Sequence, residues 1–182
     1  MTVWSALGLI ASAMLSIDKV KLLIDPSFQP SCNFNPVLSC GSVMKTDQAS
    51  LFGFPNSFLG LVGFSVMLTL AVLVAAEVVL PRWVVAGAAV GAVLGAVFVH
   101  WLAFQSLYRI GALCPWCMVV WAVTIPTAVW LVIAAARSYL PDGGGRVAEG
   151  FWEWRFTLVG AWYLAVFVLI LVRFWDYWRT LV

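Results

Sequence analysis

The sequence predicts an all-α, polytopic membrane protein built as a four-helix transmembrane bundle followed by a fifth transmembrane helix. Three observations predict it. Hydrophobic residues make up 64% of the 182 positions and charged residues only 10%, where a soluble domain carries about 25% charge and so has polar surface to cover its core. The mean hydropathy is +1.02. The apolar residues fall into five continuous runs, each near the roughly 20 residues that a helical crossing needs, and continuous runs exclude the alternating strands of a closed barrel. A formal charge of +2 without a run of like charges leaves no footprint for nucleic acid.

The first run, Val3–Ile24, contains Ala11-Ser12-Ala13, which resembles a signal-peptidase site. Met1–Gly8 has no Lys or Arg to form a positive n-region, so the run is kept as a span. Asp18, Lys19 and Lys21 near its end are expected at the interface, with an i,i+3 Asp18–Lys21 pair within reach. The connection 25–56 follows, interrupted by Pro26, Pro30, Pro36 and Pro55 and carrying Lys45-Thr46-Asp47-Gln48; it is expected to form a compact cap.

The second run is Ser57–Val79, with Glu77 expected at the interface facing Arg82. Pro81–Arg82 leads almost directly into the third, Trp83–Gln105. There Gly87, Gly91 and Gly95 share a face that allows close helix approach within the monomer. His100, the single histidine, is expected to be a hydrogen-bonded packing residue. Ser106–Gly111 leads to the fourth run, Ala112–Ala136, which Pro126 is expected to kink while a neighbouring helix satisfies the released carbonyl. A connector, Ser138–Trp154, contains Pro141-Asp142-Gly143-Gly144-Gly145 with no following Lys-Ser/Thr, so no phosphate loop is indicated. Phe156–Val172 is the fifth run. Trp4, Trp83, Trp152, Trp154, Trp175 and Trp178 lie near span ends, where an indole keeps its ring in the headgroup layer.

Chemistry resides in four cysteines. Seven residues separate Cys32 from Cys40, and two separate Cys114 from Cys117. Five alternating spans put the 25–56 loop and the connection before Cys114 on one face of the membrane, so all four thiols meet there. Three pairings are possible and the sequence does not choose among them. Spacing makes Cys32–Cys40 and Cys114–Cys117 the natural resting partners. Cys114-Pro115-Trp116-Cys117 opens a helix, where backbone N–H groups favour a thiolate and Pro115 forfeits no intrahelical bond. A static Cys32–Cys40 staple, a four-thiolate zinc site and inert buried thiols are the plainer readings.

Taken together, Cys32-x7-Cys40, Thr46 six residues later, Pro55-Asn56-Ser57 opening the next span, and Cys114-Pro-Trp-Cys117 resemble the vitamin K epoxide reductase family in its bacterial quinone-linked form. The resemblance runs from about Ser5 to Ala136. It implies a catalytic bundle over residues 1–137 around a quinone of menaquinone, ubiquinone or vitamin K type, with the cap at 25–56 outside the cytoplasm. Residues 138–182 then form a connector and the fifth helix. It also implies roles: Cys114 and Cys117 as the active pair, with Cys117 nearer the quinone, and Cys32 and Cys40 as a shuttle that reaches Cys114 through a transient Cys40–Cys114 disulfide. A Thr46 hydroxyl is expected near the sulfurs and Asn56 on a quinone oxygen, with Met44, Leu59, Phe64, Leu102 and Trp121 lining the pocket. Trp121 stands where animal members carry Tyr. An indole donates one hydrogen bond but is no phenol, which counts against the epoxide reaction.

The implied activity is oxidation of an exported, separate thioredoxin-fold (DsbA-type) partner, with electrons passing to a membrane quinone in support of disulfide formation. A quinone or vitamin K epoxide reductase fed by dithiols, or a structural zinc-binding subunit, are the alternatives. No metal is expected. The location is the cell (inner) membrane with the cysteines outside, although six Lys and Arg would then lie outside (Lys19, Lys21, Lys45, Arg109, Arg173, Arg179) against four inside (Arg82, Arg137, Arg146, Arg155). That count runs against the positive-inside rule. It is outweighed by the need of a dithiol relay for a compartment where disulfides persist.

Overall fold

A computed structural model describes residues 1–139 and 144–180, with side chains omitted at 144–148. The chain is a membrane bundle of long helices: α1 (Thr2–Ile24), α3 (Ser57–Ala75), α4 (Arg82–Phe104), α5 (Pro115–Tyr139) and α6 (Gly144–Arg173), with short α2 (Cys40–Met44) in the cap and α7 (Trp175–Trp178) at the end. Among the described residues, four helices are long and apolar enough to cross a membrane, namely Ser57–Ala75, Arg82–Ile110, Pro115–Tyr139 and Glu149–Arg173. The five expected runs thus meet four clear spans. At 23 residues α1 has the length, since 1.5 Å per residue gives about 35 Å. It is more polar than the others, and the polar groups Ser5, Ser12, Ser16 and Asp18 are buried.

Helix α5 is the centre of the bundle. It packs against α1, α4 and α6, and half of its span is buried, against 11–22% for the other three. Pro126 lies inside it and deprives the Ala122 carbonyl of its i+4 donor. The Tyr163 hydroxyl of α6 donates to that carbonyl at 2.6 Å, so a neighbouring helix satisfies it as expected.

Helices α1 and α3 approach closely. The Ser16 hydroxyl bonds the Ser12 carbonyl at 2.7 Å and Ser57 Oγ at 2.9 Å. A methyl at Gly8 would overlap the Phe64 ring, and one at Gly60 would overlap Ser12 Oγ. These two glycines, rather than the predicted stripe, set the close approach. At Gly87 and Gly91 nothing lies within 4 Å of an added Cβ, and at Gly95 only Thr124 is in ordinary contact; the α4–α5 seam is filled instead by Ala88, Ala89, Ala92, Ala128 and Leu131.

Several local expectations are corrected. Asp18 does not reach the interface or pair with Lys21: it is 5% exposed, Lys21 lies over the Phe28 ring, and the ion pair found among the described residues is Arg179–Asp176. Glu77, at positive φ just after α3, has no ion pair with Arg82. The fifth helix begins near Gly144 rather than Phe156, so Trp152 and Trp154 are helical; positions 141–143 of the expected turn lie outside the described residues. Trp83, Trp154 and Trp175 are exposed, as interfacial anchors should be. Trp152 instead stacks beneath Arg137 and Arg155, and the Trp178 indole nitrogen is buried. His100 is a packing link between α4 and α6: Nδ1 bonds the Ala96 carbonyl at 2.7 Å and Nε2 accepts from Trp162 at 2.8 Å.

Candidate functional site

The cap and the connection before α5 are held together by backbone bonds. The Leu113 N–H donates to the Val37 carbonyl at 2.7 Å and the Ser39 N–H to the Leu113 carbonyl at 2.8 Å, forming a parallel Leu38–Leu113 bridge. Asparagines shape the cap locally. Asn35 Oδ1 accepts from the N–H groups of Val37 and Leu38 at 3.0 and 2.7 Å, an Asx turn. Asn33 Oδ1 accepts from the Gly41 N–H at 2.9 Å and Ser39 Oγ at 3.2 Å. The Ser39 side chain caps α2 by accepting from the Ser42 N–H. On the other side, α4 continues into a π-helical turn, Gln105–Ile110, closed by Gly111 at φ 71. That left-handed position suits glycine.

The consequence is that Cys40 opens α2 just after the bridge on one strand and Cys114 stands just before α5 on the other. Cys32 and Cys40 are disulfide-bonded, one of the two expected pairs. Cys114 and Cys117 are free thiols, which corrects the expectation of a second resting disulfide. Cys114 instead donates to Cys40 Sγ at 3.1 Å. All four sulfurs therefore stand on one side of the bundle, as alternating spans require.

Cys114 precedes the α5 span, and its thiol is held below the ordinary range. A hydrogen bond from the Cys117 thiol does most of this, helped by the backbone N–H groups of Cys117 and Trp116; burial and the negative charge of Asp18 oppose it. The Cys117 N–H points at Cys114 Sγ at 3.4 Å, as the helix start leads one to expect.

Beside the sulfurs lies a cavity of about 210 Å³, whose walls are mainly apolar. Cys117 faces it, whereas Cys114 is fully buried behind. Met44, Thr46 and Asn56 line it from the cap, Leu59 and Phe64 from α3, Leu102 from α4 and Trp121 from α5. Every pocket residue named from the sequence is thus brought to one cavity. Their local bonds are less simple. The Thr46 hydroxyl donates to the Val43 carbonyl at 2.8 Å and is not bonded to a sulfur. Asn56 Nδ2 donates to the Gln48 carbonyl at 2.7 Å and its Oδ1 accepts from the Leu51 N–H at 3.1 Å. The amide therefore holds the cap's last turn and retains one N–H for a ligand.

Polar lining residues not named for the pocket from the sequence include Lys19, Gln48, Gln105 and Ser106. Lys19 Nζ donates to the Met44 carbonyl at 2.5 Å. Its helical register with Leu15, four residues earlier on the cavity side of α1, was the available signal.

A family model described as VKOR, the Vitamin K epoxide reductase family, matches residues 1–132. The chain belongs to that family. No curated protein matches the chain. Membership makes the protein a membrane oxidoreductase working through cysteines, in a family whose proteins use quinones. The matched region ends within α5, so α6 and α7 lie beyond it.

Proposed function

We propose that this family member oxidises an exported thioredoxin-fold dithiol protein of DsbA type and passes the electrons through two cysteine pairs to a membrane quinone. The observation that carries the reading is a continuous line of sulfurs: Cys32 bonded to Cys40, Cys40 at 3.1 Å from Cys114, and Cys117 on the wall of an apolar cavity. Each protein step is thiolate attack on a disulfide sulfur. The partner's thiolate attacks Cys32 and releases Cys40; its second thiol then takes the partner to its disulfide and frees Cys32. Cys40 attacks Cys114 of an oxidised Cys114–Cys117 pair, releasing Cys117, and Cys32 then attacks Cys40 and releases Cys114. The observed pairing, one disulfide in the cap and a free dithiol beside the cavity, corresponds to the end of that exchange.

The lining fits a quinone. Such pockets are largely apolar with a few placed polar groups, and here Lys19, Thr46, Gln48 and Asn56 stand on the cap side of a wall that includes Leu59, Phe64, Leu102 and Trp121. A bound quinone supplies an acceptor for two electrons and two protons. Asn56 would offer its remaining amide N–H, Trp121 and Phe64 would shape the wall and exclude water, and Cys117 is the thiol on the cavity wall that would meet the acceptor. The zinc reading loses ground because two of its four required thiolates are bonded to each other.

Single-turnover mixing of purified protein with a reduced thioredoxin-fold partner and a supplied quinone tests the activity. Quinol is expected in a one-to-one ratio with oxidised partner; quinol formation that ignores the partner would favour a self-contained quinone reductase. For orientation, Ser27→Cys in the exposed start of the cap is expected to react with an impermeant maleimide on intact cells. Labelling only after the membrane is permeabilised would reverse the topology.

A further inference from the structure

A buried carboxylate, Asp18, lies on the face of α1 that packs into the sulfur cluster, and the relay described above does not use it. Asp18 is 5% exposed, and its Oδ2 is fully buried with no hydrogen-bond partner. Burying such a group unpaired is strongly unfavourable, so a plain packing role would be served better by an apolar residue. Its direction is fixed by its neighbours on α1. Leu15 and Leu22, three residues before and four after, belong to the buried cluster that contains Cys32, Cys40 and Cys114, with Cys117 packed against it. Residues at those intervals share one helix face. Asp18 therefore looks into the sulfur cluster, and its charge is felt at Cys114.

Among the described residues no ion pair neutralises it. Helix α3 carries no ionisable side chain at all. The start of α5 presents only Cys117, with Cys114 just before it, and α2 presents Cys40, which is tied in a disulfide. On α1 itself Lys19 is committed to the Met44 carbonyl and Lys21 to the Phe28 ring.

We propose that Asp18 is the proton acceptor of the active dithiol, its carboxylate taking the proton that leaves Cys114 as the Cys114–Cys117 disulfide closes. Two S–H bonds break and one S–S bond forms. Two electrons and the Cys117 proton go to the oxidant, a quinone under the reading above, while the Cys114 proton goes to Asp18 and from there to the second oxygen of the reduced acceptor or to water. Without an acceptor, Cys114 would have to shed its proton inside a closed apolar cluster. Positioned acid–base groups of this kind contribute 10²–10⁴-fold.

The test uses Asp18→Asn, which keeps shape and removes basicity, with Asp18→Glu as the rescue. Closure of Cys114–Cys117 is driven by diamide in the absence of quinone, quenched with acid and read by thiol alkylation at neutral pH. Asp18→Asn is expected to be about 100-fold slower than the wild type, and Asp18→Glu to recover the rate. Folding is checked in each variant by the Cys32–Cys40 disulfide and by formation of the Cys40–Cys114 cross-link in a Cys117→Ala background. A folded Asp18→Asn protein with the wild-type rate overturns the proposal. The measurement is independent of quinone, so a wild type that closes its disulfide but never reduces a quinone would sink the preceding reading and leave the role of Asp18 standing.

Discussion

Cys117→Ala is expected to lower partner-dependent quinone reduction by roughly 10³-fold or more, the scale seen when one member of a concerted catalytic unit is removed. The loss comes with a positive signature. Without Cys117, the Cys114 thiol that stands 3.1 Å from Cys40 has no second thiol with which to close. Attack on the Cys32–Cys40 disulfide then leaves Cys114 bonded to Cys40 and frees Cys32. Non-reducing peptide mapping should find that cross-link, and a thiol probe should find Cys32. Intact quinone-linked oxidation in the variant would remove Cys117 from the relay. Absence of the cross-link would remove the 3.1 Å contact from the pathway.

Gly8→Ala is expected to destabilise the bundle by about 1–3 kcal/mol, the usual range for overpacking a core. The added methyl would overlap the Phe64 ring, and Phe64 is a buried residue that also forms part of the cavity wall. Relief by rotating the ring narrows the cavity, so quinone affinity should fall along with thermal stability. Gly87→Ala is the matched control, because its added methyl meets nothing within 4 Å. There the higher helix propensity of alanine gives no loss, or a gain of up to about 1 kcal/mol. Equal melting of the two variants in detergent would show that the α1–α3 seam is looser than the side chains indicate.

The two glycine series explain how far the sequence carried the helix packing. Gly87, Gly91 and Gly95 form a regular stripe that signals close approach, yet no backbone is pressed against them. Gly8 and Gly60 lie on different helices at no shared period, and the contacts that require them exist only once α1 and α3 are set side by side. In the sequence Asp18 has the look of an interfacial charge, near a span end beside two lysines. Its burial depends on α1 continuing as a packed helix to Ile24, so that position 18 is level with the cap and faces the sulfurs. Asn56 illustrates the same gap at the scale of one side chain. Its place at the cavity follows from Pro55-Asn56-Ser57 opening a span, but its bonds to Gln48 and Leu51 depend on the path of the cap.

By itself the sequence determined the membrane setting, the all-helical class, the family resemblance and the four sulfurs on one face. The reason is that composition, run length and the parity of crossings are properties of the chain before it packs. Tertiary structure alone decided which cysteines are bonded and which are free, that Cys40 meets Cys114 across the Leu38–Leu113 bridge, that one cavity gathers residues of the cap, α3, α4 and α5, and that a carboxylate is enclosed beside the dithiol. Those facts rest on contacts between residues far apart in the chain, such as Cys40 and Cys114 at a separation of 74 positions, and no local pattern along the chain encodes them.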